Sequence, residues 1–250
     1  MQKFIIALFI SSLALVDSGS LNAQQTIFGE SKPSKTYEEK NILDPEYGIN
    51  KYDKLNPMVG GDSIRNASKG YALQGWKEDY YSNGKLLHKG FYTEGQTKLY
   101  KNYYDNGQLE RDFTVTDMKR SKMKIYYKDG KLKADIEYCD GNTIKEQDFY
   151  SSGQLKYSEE HSGNMEYLLQ LNSYAENGKP QSLFEITDKK KKIYYKKEFS
   201  EKGVIKEEGP MRFSKDLLDY QKNGTWKIYD ENGNLKSTDN FVNGQGGNAN

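Results

Sequence analysis

Two histidines, one cysteine and a run of lysines are the residues of this chain whose chemistry could go beyond packing. A nucleophilic triad would need His88 or His161 beside a serine and a carboxylate. No Gly-x-Ser-x-Gly elbow occurs, and His161 falls at a position that is apolar in the neighbouring segments, which favours a structural role. A zinc site wants about four nitrogen or sulfur ligands, more than Cys139 and two scattered histidines supply. Asp230-Glu231-Asn232-Gly233 opens like a calcium loop, yet it lacks the spaced oxygen ligands and closing glutamate of that motif. Cys139 has no second cysteine to pair with in the chain. It reads as a small half-buried strand residue, with an intermolecular bridge as the alternative. The expectation is therefore no catalytic set, no metal and no cofactor: a protein that is not an enzyme.

Binding chemistry has better candidates. Lys189, Lys190, Lys191 and Lys192 are followed by Lys196 and Lys197 after Tyr194-Tyr195. Such a patch could contact anionic lipid headgroups, nucleic acid or an acidic polymer. It could equally be a solvated turn and strand edge, with Glu185, Asp188 and Glu198 close by and lysine discouraging sheet-to-sheet aggregation. The second candidate is a set of double aromatics. Adjacent strand residues point to opposite faces, so Tyr81, Tyr104, Tyr127 and Tyr150 form one column and Tyr80, Tyr103, Tyr126 and Phe149 the other. If the latter fills the core, the former is an exposed ladder able to bind sugars, peptides or a partner sheet. Ring stacking that only stabilises a thin sheet is the alternative.

These residues are positioned by a repeat. Tyr80 to Leu86, Tyr103 to Leu109, Tyr126 to Leu132 and Phe149 to Leu155 are copies of one pattern, with glycines at 84, 107, 130 and 153, a period of 23. Looser copies surround Gly178, Gly203 and Gly233. A fixed period in this range marks units that bury their apolar faces against neighbours. Every copy has an aromatic residue four before the glycine, and most have an aliphatic one two after. The residue eight after (Tyr92, Val115, Tyr138, His161, Ile186, Met211, Phe241) is mostly apolar, and its even separation from position two predicts a shared face. Asn-Gly and Asp-Gly dipeptides at the pivot suit tight hairpins. The predicted fold is all-β: an elongated antiparallel meander of stacked β-hairpins, about 23 residues each. The stretch from Glu207 to Asn223 lengthens the last interval and predicts a long loop or protruding hairpin.

Composition bounds the setting. Lys3, the apolar run Phe4 to Val16 and the polar stretch ending at Ala23 have the form of a secretory signal peptide, too short to span a bilayer. Residues 1–23 are thus read as a signal cleaved near Ala23. Residues 24–69 follow as an irregular leader, 70–244 as the repeat domain and 245–250 as a frayed tail. The expected location is exported: periplasmic, cell-surface or secreted. A formal net charge of +1 argues against a dedicated nucleic-acid binder. The chain's 21 tyrosines suit a shallow core, because each buries a ring and keeps its hydroxyl wet.

Trp226-Lys227-Ile228-Tyr229, preceded by Asn223-Gly224 and followed by Asn232-Gly233-Asn234-Leu235, resembles the MORN repeat in its bacterial variant form. Gly75-Trp76-Lys77 with Tyr80 and Asn83-Gly84 fits the same pattern. The resemblance covers roughly residues 70 to 245, although the glycine ahead of Tyr126 is missing and Pro180 replaces the leucine. It implies a twisted sheet of stacked hairpins with a wide groove along one side, and roles described as antitoxin-like, scaffolding or lipid-associated. No catalytic residues come with it. The expected function is an exported, non-enzymatic binding or scaffolding surface for a protein partner. A glycan or cell-envelope module using the tyrosine ladder, and an immunity protein, are the alternatives; anionic lipid is the weakest partner.

Overall fold

The computed structural model describes residues 35–38, 63–66, 70–80, 84–214, 216–217 and 219–247. The proposed signal, most of the leader, Tyr81 and residues 248–250 lie outside them. Two short strands come first, β1 (Lys35–Glu38) and β2 (Ser63–Asn66), paired in parallel. Seven hairpins follow: β3 (Gly75–Tyr80) with β4 (Leu86–Thr93), β5 (Gln96–Tyr103) with β6 (Leu109–Val115), β7 (Arg120–Tyr126) with β8 (Leu132–Cys139), and β9 (Asn142–Phe149) with β10 (Leu155–His161). Next are β11 (Leu168–Tyr174) with β12 (Pro180–Asp188), β13 (Ile193–Phe199) with β14 (Ile205–Ser214), and, after β15 (Asp219–Lys222), β16 (Gly224–Tyr229) with β17 (Leu235–Val242). The short β18 (Gln245–Gly247) ends the described chain. The strands from β3 onward form one antiparallel sheet in chain order, except that β15 lies off the path and pairs with the end of β14. The all-β meander read from the period is the architecture of the molecule. No helix among the described residues is long and apolar enough to cross a membrane.

Two kinds of turn alternate along the sheet. At the pivots from Gly107 onward the glycine N–H donates to the carbonyl three residues back, as in Gly107 to Tyr104 at 2.8 Å. The Tyr104 N–H in turn donates to Gln108. Gly107 has φ 88° while Asn106 is not left-handed, so a left-handed glycine closes each hairpin as a bulge. Tight turns with two consecutive left-handed residues lie between hairpins at Glu94-Gly95 and Asp140-Gly141, and between β17 and β18 at Asn243-Gly244.

A second irregularity corrects the sequence reading of the faces. In all seven hairpins the register shifts just before the pivot aromatic, for example between Ile125 and Tyr126, which pair with Ala134 and Leu132 respectively. One extra residue on the returning strand reverses the side-chain phase. The leucine two after the glycine therefore does not share a face with the residue eight after it. The core confirms this. Its first cluster is Leu87, Tyr92, Tyr100, Phe113, Met123, Ala134, Ile136 and Tyr138, without Tyr103, Tyr126, Leu109 or Leu132. Its second is Leu168, Phe184, Tyr194 and Tyr220. Tyr220 comes from β15, so the long interval is a hairpin laid onto the core, edge-on to Phe184 at 4.8 Å and Tyr194 at 4.7 Å.

We call the face bearing these clusters inner. The outer face carries directly opposed ion pairs, including Lys122–Glu137 at 2.9 Å, Lys101–Asp112 at 3.5 Å and Lys124–Asp135 at 3.7 Å. At the first hairpin the leader contributes to the inner side. Arg65, on β2, donates to both Asp79 oxygens at 2.6 Å, and to the Tyr92 hydroxyl at 3.4 Å. Tyr92 contacts His88 Nε2 at 3.1 Å, and His88 Nδ1 lies 2.7 Å from Asn102 Oδ1. A neutral imidazole with its proton on Nδ1 satisfies both neighbours, and burial pushes His88 down to about 4.

Candidate binding surface

Tyr104, Tyr127 and Tyr150 are half-buried, not an exposed ladder. Each hydroxyl crosses to the next hairpin and donates to the carbonyl of its pivot aromatic: Tyr104 to Tyr126 at 2.8 Å, Tyr127 to Phe149 at 2.7 Å, Tyr150 to Tyr174 at 2.9 Å. The series ends where Ala175 takes the equivalent place. These tyrosines staple repeat to repeat. Lysines one residue after the glycine do likewise, Lys85 reaching Asp105, Lys131 reaching Ser151 and Lys179 reaching Lys202 through backbone carbonyls at 2.7–2.8 Å.

The six lysines do not assemble into one patch. Lys189, Lys190 and Lys191 are exposed in the turn closed by Asp188 Oδ1, while Lys192 lies 5.1 Å over the Tyr167 ring. Lys196 pairs with Glu198 at 2.8 Å and Lys197 with Glu208 at 3.7 Å. As neighbours on β13, they point to opposite faces. Asp230 closes its turn by accepting from the N–H groups of Asn232 and Asn234. Cys139 is half-buried on β8. Among the described residues no three acidic, histidine or cysteine side chains converge as metal ligands.

Sequence reasoning missed what lies between the two core clusters. The inner-face position seven before the glycine is Tyr100 and then Met123, but Glu146 in the fourth hairpin. Asp148 follows two residues on, and Tyr157, Glu159 and His161 face them from β10. His161 Nε2 is 2.5 Å from Glu159 Oε1, and the Tyr157 hydroxyl donates to Oε2. Burial pushes Glu159 up, but these two bonds outweigh it and hold the carboxyl below its ordinary range. Glu146 has no hydrogen-bond or ion-pair partner among the described residues, and neither does Asp148. Burial, then the charges of Asp148 and Glu159, push Glu146 up to about 7. Burial also raises Asp148, with Lys156 and Lys133 offsetting part of it. Tyr138, buried and beside Glu146, is pushed up to about 12. The signal for this acidic step was present as a charge in an otherwise apolar column, visible only once the bulge fixes which column faces in.

Residues 96–115, 121–140 and 222–243 match the family described as MORN repeat variant. Three of the chain's hairpins thus match the MORN repeat variant. The matched segments cover β5–β6, β7–β8 and β16–β17, so the MORN unit and the hairpin coincide. No curated protein matches the chain. Among solved structures, one titled "Crystal Structure of TarM" is similar at 10% identity, over 70% of this chain and 31% of that one. Its TM-score of 0.23 is too low to support an argument. MORN repeats are commonly binding or scaffold modules.

Proposed function

We propose that this is an exported, non-enzymatic scaffolding protein whose partner is another protein, held on the inner face at Glu146, Asp148 and Glu159. The observation that supports it is the half-buried pair Glu146 and Asp148, which lose water without a hydrogen-bond or ion-pair partner among the described residues, the charges of Lys156 and Lys133 reaching Asp148 alone and offsetting only part of its burial. Burying a charge without compensation is costly. A lysine or arginine of a partner would supply the missing cation, and charged groups in such a setting form strong hydrogen bonds. The flanking aromatic clusters give that partner apolar surface on either side.

The test is a crosslinking pulldown from the envelope fraction, comparing the wild type with Glu146→Gln/Asp148→Asn. The expected outcome is a specific partner captured by the wild type and lost in the variant. Capture of the same proteins by both, or of none, rejects the reading.

A further inference from the structure

Independently of that partner, the first strand of the sheet has the features of a self-complementary edge. β3 pairs with β4 on one side, and no strand among the described residues pairs with its other side. The aromatic residues at this edge are unusually open: Trp76 is 59% and Tyr80 47% exposed. Trp76 stacks edge-on against Phe91 at 5.5 Å. Lys89 lies 5.5 Å over the Trp76 ring and 2.8 Å from Glu78, and Tyr80 donates to Glu78 at 2.5 Å. Trp76, Glu78, Tyr80 and Lys89 thus make one contiguous outer-face patch on the terminal hairpin. The positions matching Trp76 in the second, third and fourth hairpins are Leu99, Lys122 and Lys145, and of the apolar residues at this position only Trp76 is among the exposed large hydrophobics. A terminal repeat normally presents a polar surface, and this one presents two open aromatics.

We propose that the β3 edge binds a second copy of itself, in an antiparallel pairing with Glu78 on the two-fold axis. Residues directly opposite in an antiparallel pair share a face. That register sets Trp76 against Tyr80 of the second copy, and Tyr80 against its Trp76. Both exposed aromatics are covered by each other, and the unpaired backbone groups of the edge gain partners. The two Glu78 carboxylates meet near the axis, each already paired with its own Lys89 and accepting a hydrogen bond from its own Tyr80. Such an interface is isologous and closes at two copies, giving one sheet that runs through both chains.

Sedimentation velocity over a concentration series tests this. A concentration-dependent dimer is expected for the wild type. Trp76→Lys should weaken it at least about tenfold, because the symmetry removes two aromatic pairs at once. Circular dichroism of that variant checks that the sheet is retained, which is expected for a residue so exposed. In a Cys139→Ser background, Glu78→Cys should form a disulfide-linked dimer on mild oxidation, and Trp76→Cys should crosslink far less. A wild type that stays monomeric to its solubility limit overturns the proposal, as does a dimer that Trp76→Lys leaves intact. Equal crosslinking at positions 76 and 78 overturns the register.

Discussion

His88, buried, and Glu146, half-buried, are titratable groups with opposite consequences for acid. The His88 value of about 4 lies below its ordinary 6.5, so the unfolded chain binds more protons between those values. Stability from this residue is complete above pH 6.5 and lost as pH falls toward 4. Thermal melts of His88→Gln should therefore show a shallower acid slope across that window than the wild type. For Glu146 the sign reverses. Its value of about 7 lies above the ordinary 4.5, so the folded chain holds the extra proton and stability falls as pH rises from 4.5 through 7. Glu146→Gln should raise stability at pH 8 by about 1–2 kcal/mol, once solvent screening of a half-buried group is allowed for. At pH 4.5 the gain should vanish, and denaturant titrations at the two pH values check it.

Within single elements, the hairpin count was readable because the pivot glycine and its neighbours recur in sequence. The facing of the strands was not. Even spacing between Leu132 and Tyr138 implies one shared face, yet the bulge between them leaves only Tyr138 in the core. Nothing in one sequence marks Lys133 as the extra residue. For the same reason Tyr104, Tyr127 and Tyr150 could be seen as a column while their hydroxyl partners, carbonyls about one repeat away, could not. Tyr127→Phe should cost about 1 kcal/mol, the worth of one hydrogen bond. Amide exchange should rise locally at the junction of the third and fourth hairpins rather than throughout. Gly209 is a harsher case. A Cβ there would come within 2.4 Å of the fully buried Trp226 ring, whose Nε1 is anchored on the Pro210 carbonyl at 2.8 Å. Gly209→Ala should destabilise by about 1–3 kcal/mol through overpacking, read by a loss in melting temperature and in tryptophan burial.

For the molecule as a whole, the acidic step divides the core. Apolar contact is continuous from Leu87 to Tyr138 and again from Leu168 to Tyr220, with Glu146, Asp148 and Glu159 between. Repeat proteins gain stability from unit and nearest-neighbour terms, so the weakest junction sets where cooperativity breaks. Hydrogen exchange should resolve two blocks, one ending near β8 and one beginning near β11, opening at different denaturant concentrations. Replacing Glu146 by isoleucine should draw the two transitions together, and a single transition in the wild type would rule out the division.

The pivot turns give the chain a modular length. Each hairpin adds two strands, and strands stand about 4.8 Å apart, so one repeat advances the sheet by roughly 10 Å. Because the staples Tyr104 to Tyr126 and Tyr127 to Phe149 use the same pair of positions in successive repeats, an in-frame duplication among them would meet its neighbours with the same bonds already in use. Gene lengthening or shortening by whole units would then move the acidic step relative to the β3 edge in fixed increments. The molecule would behave as a spacer whose reach evolution can reset without redesigning a single contact.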